Sequence, residues 1–347
     1  MEDQKTGALR LLLAPEEYLK IIGFSLQNHL LSPEVRVPGG NEAEHRIWRR
    51  WKKSGSLTEH AATRIRAAVA AKLDKTIPLP DEVELEKWRQ GPQAEKFGRM
   101  GEWFHWSCLL KDFAPKPDFA PETAGLIEDL ATASESLNRI AKEKGPKHFA
   151  KELRRHEDPD LKMILEASAR AVETSNSGEY RSAMAPVHVF SCAVLVLGFL
   201  AEREGDRAEA VRKINLLLHG EKERAGPKLA LARWLEIVKR EMGFRTNQEL
   251  FEALDPDLDE NARIEWQKIL AGKRMPPISN LDSALLRCRE RLPMKNSLFH
   301  GLENCLWYHA FVARSVAYLD KHGHSDWAEE IFSRAGSFMV RHLEASG

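Results

Sequence analysis

One stretch of the sequence, Ala185–Ala201, constrains the fold more than any other. It reads APVHVFSCAVLVLGFLA and is apolar on every helical face apart from His188 and Ser191. A helix with no polar face must be surrounded by other apolar groups. The run is shorter than the ~20 apolar residues that a membrane span needs, and the charged stretch Glu202–Asp206 follows it directly. We therefore predict a buried core helix that starts at Pro186, with His188 as a hydrogen-bonded core histidine.

The composition indicates a folded protein with no overall charge. Of the 347 residues 43% are apolar and 30% are charged, and Lys plus Arg balance Asp plus Glu at 52 each. Any affinity for nucleic acid must therefore come from local segregation of charge. No apolar run near the N-terminus is long enough for a signal peptide, which predicts a cytoplasmic protein without a membrane anchor. Widely spaced cysteines, without a Cys-x-x-Cys pair, favour reduced core thiols: Cys108, Cys192, Cys288 and Cys305.

Proline- and glycine-rich breaks divide the chain into five predicted segments. No stretch alternates with period two, so the predicted class is all-α and multi-helix, with two small helix-turn-helix-like units flanking a helical-hairpin core. Apolar positions from Leu11 to Leu31 recur at three- and four-residue spacing and predict one or two helices, with Pro15 and Glu16-Glu17 placed where a helix N-terminus favours them. The segments are a basic unit at 1–75, an aromatic-rich helical segment at 76–112, the helical core at 121–225, a second unit at 226–293 and a C-terminal helical hairpin at 294–347.

A basic stretch near the N-terminus, Arg46–Lys53, reads RIWRRWKK. The longer range Arg46–Lys75 holds nine basic and two acidic residues, a local charge of +7. Cations neutralise phosphates, while Trp48 and Trp51 can pack inward and hold the helix. A solvated face or a protein contact remains the alternative interpretation. The predicted nucleic-acid contacts in this stretch are Arg46, Arg49, Arg50, Lys52 and Lys53.

A second stretch, Trp234–Leu292, has the layout of a small DNA-binding domain. Thr246–Leu250 opens its second helix, and Trp266, Ile269 and Gly272 take the spacing of the apolar, apolar and glycine positions of a recognition helix. Lys273-Arg274, Pro276 and a final helix over Ile278–Leu292 follow. On these residues the stretch resembles lambda-repressor-type helix-turn-helix domains.

The resemblance implies that Asn261–Leu270 is a recognition helix in a groove of nucleic acid. Trp266 and Ile269 would then face inward, while the predicted contacts lie outward or just after the helix: Arg263, Gln267, Lys268, Lys273 and Arg274. The turn before this helix is longer than in the family and is acidic, with Asp255, Asp257, Asp259 and Glu260. By contrast, the range Asn261–Lys295 holds eight basic and three acidic residues.

Two internal similarities bear on the organisation of the chain. Gly23-Phe24, Arg46-Ile47 and Gly55 echo Gly243-Phe244, Arg263-Ile264 and Gly272, which leaves open a duplication of the helix-turn-helix-like unit. Small residues from Leu197 to Ala210 are spaced as in one tetratricopeptide repeat, and Gly323, Ala328, Phe332 and Ala335 repeat part of that spacing. Because a solenoid needs three or more contiguous repeats, we interpret both as ordinary helical hairpins.

The sequence contains two kinds of residue pair that occur in known active sites. Glu42/His45 and Glu102/His105 are Glu-x-x-His pairs, but a carboxylate-bridged di-iron site needs two further glutamates. Arg99/His105 and Arg181/His188 fit the Arg-x4-6-His spacing of the all-α HEPN ribonucleases, which stay a minor alternative. We predict no catalytic residue, metal site or cofactor.

The sequence therefore predicts a non-enzymatic protein that binds nucleic acid through its basic helices, with duplex DNA favoured as the partner. The helical core would serve contacts with other protein subunits. The rival hypothesis is an all-α adaptor or scaffold without a nucleic-acid role. The choice between DNA and RNA, the oligomeric state and the pathway stay open at this point.

Overall fold

The fold is described from a computed structural model, which describes residues 8–13, 21, 121–204, 208, 210–212, 214–215 and 229–345. Every regular element in these residues is a helix, so the predicted all-α, multi-helix class is confirmed for this part of the chain. The chain divides into two compact units, one of residues 1–13, 21–23 and 118–347, the other of residues 14–20 and 24–117. The second unit and its predicted basic stretch lie outside the described residues.

The described helices of the first unit are joined by short connections within residues 121–204 and within residues 230–345. Proline begins each of the first three, where the missing N–H has no helical partner to lose. The second helix is an addition to those predicted from the sequence. The helices are α1 (Pro121–Lys144), α2 (Pro146–Leu153), α3 (Pro159–Thr174), α4 (Tyr180–Glu204), α5 (Ala230–Glu241), α6 (Asn247–Leu254), α7 (Glu260–Leu270), α8 (Ile278–Arg291), α9 (Asn296–Lys321) and α10 (Ala328–Ala345), with a 3-10 turn at Ser325–Trp327 before the last.

Helix α4 forms the centre of this unit. It packs against α1, α3, α9 and α10, and every residue from Ala183 to Gly198 is buried. The stretch Tyr180–Gly198 is long and apolar enough to cross a membrane by length and composition, and 89% of it is buried inside the protein. Because neighbouring helices cover α4, its faces can all be apolar.

The predicted start of the core helix at Pro186 is wrong, because α4 begins at Tyr180 and continues through the proline. A proline has no N–H to bond the carbonyl four residues earlier, which here belongs to Ser182. That carbonyl instead accepts a hydrogen bond from Nε2 of His324 at 2.8 Å. The hydroxyl of Ser182 also lies 2.9 Å from Nδ1 of His322. The loop after α9 thus supplies the donor that Pro186 lacks.

A glycine places these two histidines beside α4. Gly323 has φ +76°, a conformation that glycine adopts without steric strain. Its N–H bonds to the carbonyl of Asp320, and the N–H of His324 bonds to the carbonyl of Leu319. This is the Schellman ending of a helix, and it turns the chain sharply after α9.

The segment 8–13 is largely buried and is not helical, and the predicted helix N-terminus at Pro15 lies outside the described residues. Leu9, Leu11, Leu12 and Leu13 are all buried, and three consecutive leucines cannot share one face of a helix. Side chains of the core satisfy its backbone instead. The N–H of Leu12 donates to Oγ of Ser134 at 3.2 Å, and Nε2 of His188 lies 3.0 Å from the carbonyl oxygen of Arg10.

We predict that substitutions of His324 and Pro186 have non-additive effects on stability, because both residues act on the Ser182 carbonyl. Replacing His324 with Ala leaves a partly buried carbonyl without a donor, which should lower the free energy of unfolding by about 1–3 kcal/mol. In a Pro186→Ala background the new N–H at position 186 bonds that carbonyl, so His324→Ala should then have a much smaller effect. Denaturant unfolding of the parent, both single variants and the double variant measures this coupling. Additive effects would contradict it.

We predict that the free energy of unfolding falls at low pH, because two histidines are buried. Burial lowers the pKa of His188 to about 3 and that of His309 to about 4. Both are neutral in the folded protein, whereas the unfolded chain protonates them below about pH 6.5. Their contribution is therefore complete above about pH 6.5 and is lost as the pH falls toward the folded pKa.

We expect the free energy of unfolding to fall by up to about 1.4 kcal/mol per pH unit for each of these histidines between about pH 6.5 and 4. Replacing His188 with Gln keeps an N–H donor for the Arg10 carbonyl and removes the titrating group. The variant should show a shallower pH dependence than the parent in denaturant unfolding. Parallel curves for the two proteins would show that His188 does not titrate on unfolding.

Candidate nucleic-acid interface

The predicted second unit corresponds to four consecutive helices, α5 to α8, which we call the four-helix unit. Within it α5 packs against α6 and α7, and α6 packs against α8. Trp234 of α5 is fully buried, and its Nε1 donates to the carbonyl of Leu302 in α9 at 3.2 Å. The four-helix unit is thereby anchored to the long helix α9, which also packs against α4.

The start of α6 lies where the sequence places the second helix of this unit. Thr246 is its N-cap, and the Thr246 side chain accepts from the N–H of Glu249 at 3.1 Å. In return the Glu249 carboxylate accepts from the backbone N–H of Thr246 at 3.4 Å. This reciprocal capping box was readable in the sequence as Thr-x-x-Glu before an apolar pair.

The acidic turn before α7 has a local structural role. Asp255 follows α6, and Asp259 caps α7 by accepting from the N–H of Ala262 at 2.7 Å. Carboxylates at a helix N-terminus are favourable because they oppose the positive end of the helix dipole. The same carboxylates place negative charge at the end of α7 that would approach phosphate in the predicted mode.

Helix α7 has a buried apolar face and an exposed polar one. Trp266 and Ile269 are buried, and the Trp266 ring stacks on that of Phe251 with centroids 6.0 Å apart. Gln267 and Lys268 are exposed. These four side chains therefore lie on the sides of the helix that were predicted for them. Arg263 is half-buried, with 39% of its side chain exposed.

Three of the five predicted contacts in this unit form ion pairs with two glutamates. Arg263 donates to Glu260 through Nε at 2.9 Å and through Nη2 at 2.5 Å. Lys268 Nζ lies 2.8 Å from Oε1 of Glu265, and Nη1 of Arg274 contacts the other oxygen of the same carboxylate. The hydrogen bond to Arg263 holds the pKa of Glu260 below its usual value. The cations on α7 therefore have carboxylate partners already.

The chain turns after α7 at Gly272, whose φ of +67° favours glycine. The N–H of Lys273 then bonds to the carbonyl of Lys268 at 2.8 Å, which closes the end of the helix. Arg274 folds back toward Glu265 from this loop, and Lys273 is exposed. Arg314 of α9 holds the loop by donating to the carbonyl of Pro276 at 2.6 Å.

The charge count of the sequence did not separate free cations from those with structural partners. Arg287 and Arg291 of α8 donate to the carbonyls of Leu254 and Glu252 at 3.4 and 2.9 Å, so they tie α8 to the end of α6. The pairs Glu260/Arg263 and Glu265/Lys268 have helical i, i+3 spacing and could have been read from the sequence. The contact between Arg274 and Glu265 depends on the loop geometry and could not.

The other predicted contacts and most residues of the catalytic alternatives lie outside the described residues. Arg46, Arg49, Arg50, Lys52 and Lys53 lie outside them, as do both Glu-x-x-His pairs and Arg99/His105. Of the Arg181/His188 pair, His188 is wholly buried, with Nε2 beside the Arg10 carbonyl. No group of three or more His, Cys, Asp or Glu in the described part of the chain could hold a metal ion.

The two faces of α7 predict different consequences of substitution. Trp266→Ala removes a large core side chain and should lower the free energy of unfolding by about 3–5 kcal/mol. Gln267→Ala changes an exposed side chain, so we expect it to leave the melting temperature unchanged while it alters binding or sequence preference. A melting curve for each variant, beside a titration with random-sequence duplex DNA, checks both. A Trp266→Ala variant that melts like the parent would contradict the packing.

Comparison of the chain with protein-family models, curated proteins and solved structures finds no match. The functional interpretation therefore depends on the geometry and charge of this chain.

Proposed function

We propose that the protein binds nucleic acid through the four-helix unit, with α7 lying against the nucleic acid and duplex DNA as the favoured partner. The observation that carries this proposal is the fixed orientation of α7. Trp266 and Ile269 are buried on its inner side, so its opposite side, which carries Gln267, Lys268 and the partly exposed Ile264, is held toward solvent. The major groove of DNA has the width to admit such a helix.

Two exposed amides on α7 support a role in reading bases. Asn261 and Gln267 are exposed, and their side chains form no hydrogen bond with the described residues. An amide side chain presents one acceptor and two donors, which match the edge of adenine in the major groove. These groups would provide sequence preference, while cations provide affinity.

The ion pairs on α7 do not prevent contact with phosphate. Exposed ion pairs typically contribute ~0–1 kcal/mol, so a phosphate oxygen can replace a carboxylate as the partner of Lys268 or Arg274. Lys273 is exposed and forms no ion pair with the described residues. This surface can therefore present three cations to a backbone: Lys268, Lys273 and Arg274.

A protein partner is the second candidate, favoured by apolar exposure in the same unit. Ile264 lies on the outward part of α7 and is 38% exposed. Met275 and Leu286, 41% and 44% exposed, belong to the following loop and to α8. Because paired cations and exposed aliphatic groups suit a protein surface, an adaptor role is the outcome that we would adopt if nucleic acid does not bind.

The test is a charge-matched comparison of two triple variants. Lys268, Lys273 and Arg274 are replaced with Gln in one, and the exposed Lys151, Lys162 and Arg170, which lie outside the four-helix unit, are replaced in the other. Both lose three positive charges. We expect only the first to bind duplex DNA more weakly and to show a smaller dependence of log K on log salt, by about 0.9 for each lost phosphate contact.

The measurement is a titration with duplex DNA, single-stranded DNA and RNA at two salt concentrations. Replacing Arg49, Arg50, Lys52 and Lys53 with Gln extends the same test to the N-terminal stretch. Equal binding by both triple variants would remove α7 from the interface. Absence of binding to all three nucleic acids by the parent would reject the proposed function in favour of the adaptor.

A further inference from the structure

We infer that Glu260 and Glu265 compete with phosphate for the cations of α7 and so limit how tightly the four-helix unit binds nucleic acid. This inference rests on the proposed function. It assigns to the two glutamates the regulation of affinity at the same surface, and it predicts that removing their charge strengthens binding.

Glu265 holds two cations of different origin with one carboxylate. Its Oε1 pairs with Lys268 of the same helix, and its Oε2 pairs with Arg274 from the loop that follows Gly272. The neighbouring residue Trp266 is buried, which fixes the position of the Glu265 backbone. The carboxylate is only 34% exposed. One side chain therefore controls two of the three cations available to phosphate.

Glu260 pairs with Arg263, which is the other basic residue of α7. Its two carboxylate oxygens accept from Nε and Nη2 of Arg263, which is a bidentate pair. Bidentate guanidinium–carboxylate pairs have a defined geometry that a phosphate must displace as a whole. Arg263 is thus held beside Glu260 on α7 by a pair that stays accessible to solvent.

The acidic residues around α7 make the net charge of this part of the chain negative. The range 255–274 contains five acidic residues, Asp255, Asp257, Asp259, Glu260 and Glu265, and four basic ones, Arg263, Lys268, Lys273 and Arg274, so its net charge is 4 − 5 = −1. Removing the charge of Glu265 makes the range neutral, and removing that of Glu260 as well makes it +1. Because phosphate binding is governed by such local charge, each step should raise affinity.

A purely structural role for the glutamates makes a different prediction. If the pairs existed to stabilise α7, their loss would lower the melting temperature and would not tighten binding. Exposed pairs of this kind contribute little to stability. Affinity and its salt dependence therefore distinguish competition with phosphate from support of the helix.

The experiment compares Glu265→Gln, Glu260→Gln and the double variant with Glu241→Gln. Glu241 is exposed on α5 and pairs with Arg240 at 3.2 Å, so its replacement removes the same charge and also breaks a surface ion pair. The probe is a fluorescent random-sequence duplex DNA at two salt concentrations. We expect Glu265→Gln to bind more tightly than the parent and to steepen the slope of log K against log salt by about 1–2, as one or two more phosphates are neutralised.

The increase in affinity should depend on Lys268 and Arg274, which lose their carboxylate partner in Glu265→Gln. Adding Lys268→Gln and Arg274→Gln to Glu265→Gln should abolish it, while Glu241→Gln should bind like the parent. A parent that binds, with Glu265→Gln and Glu260→Gln binding no better than Glu241→Gln, would overturn the inference and leave the proposed function standing. If neither the parent nor any variant binds, the proposed function and this inference both fail.

Discussion

The fold of the first unit depends on covering a helix that is apolar on all sides. Helix α4 exposes no polar stripe from Ala183 to Gly198, so its burial requires neighbours in every direction. Those neighbours come from both sides of it in the sequence, with α1 and α3 before it and α9 and α10 after it. The apolar surface removed from water is the main favourable contribution to folding. The connections, caps and ion pairs of this unit hold the other helices in place around α4.

Helix α9 connects the buried core to the candidate interface. It packs against α4 and also against α5 and α8 of the four-helix unit. The indole of Trp234 bonds to its backbone at Leu302, and Arg314 holds the loop after α7. The orientation of α7 is therefore set by contacts that lead back to the core. A surface that must present a defined face to a rigid partner benefits from such support, because its geometry exists before binding.

Patterns that depend on one helix could be predicted, and those that depend on distant residues could not. The all-round apolarity of α4 and the inward positions of Trp266 and Ile269 follow from helical spacing. Continuation of α4 through Pro186 needs a donor from His324, which no local pattern reveals. The leucines at 11–13 lie in an irregular segment whose hydrogen-bond partners, Ser134 and His188, are far away in the sequence. Counting charges identified the basic residues of α7 and missed that glutamates hold them.

The hydrogen bond between Ser182 and His324 joins residues 142 positions apart, and this separation has a consequence for synthesis. When α4 leaves the ribosome, the carbonyl of Ser182 has no internal donor, and α9 and α10 do not yet exist to cover the helix. The nascent chain must therefore keep an apolar segment from aggregating until α9 and α10 have been made. Non-local contacts of this kind also slow folding. Helix α4 is thus an apolar segment that a chaperone on the ribosome would meet exposed during synthesis.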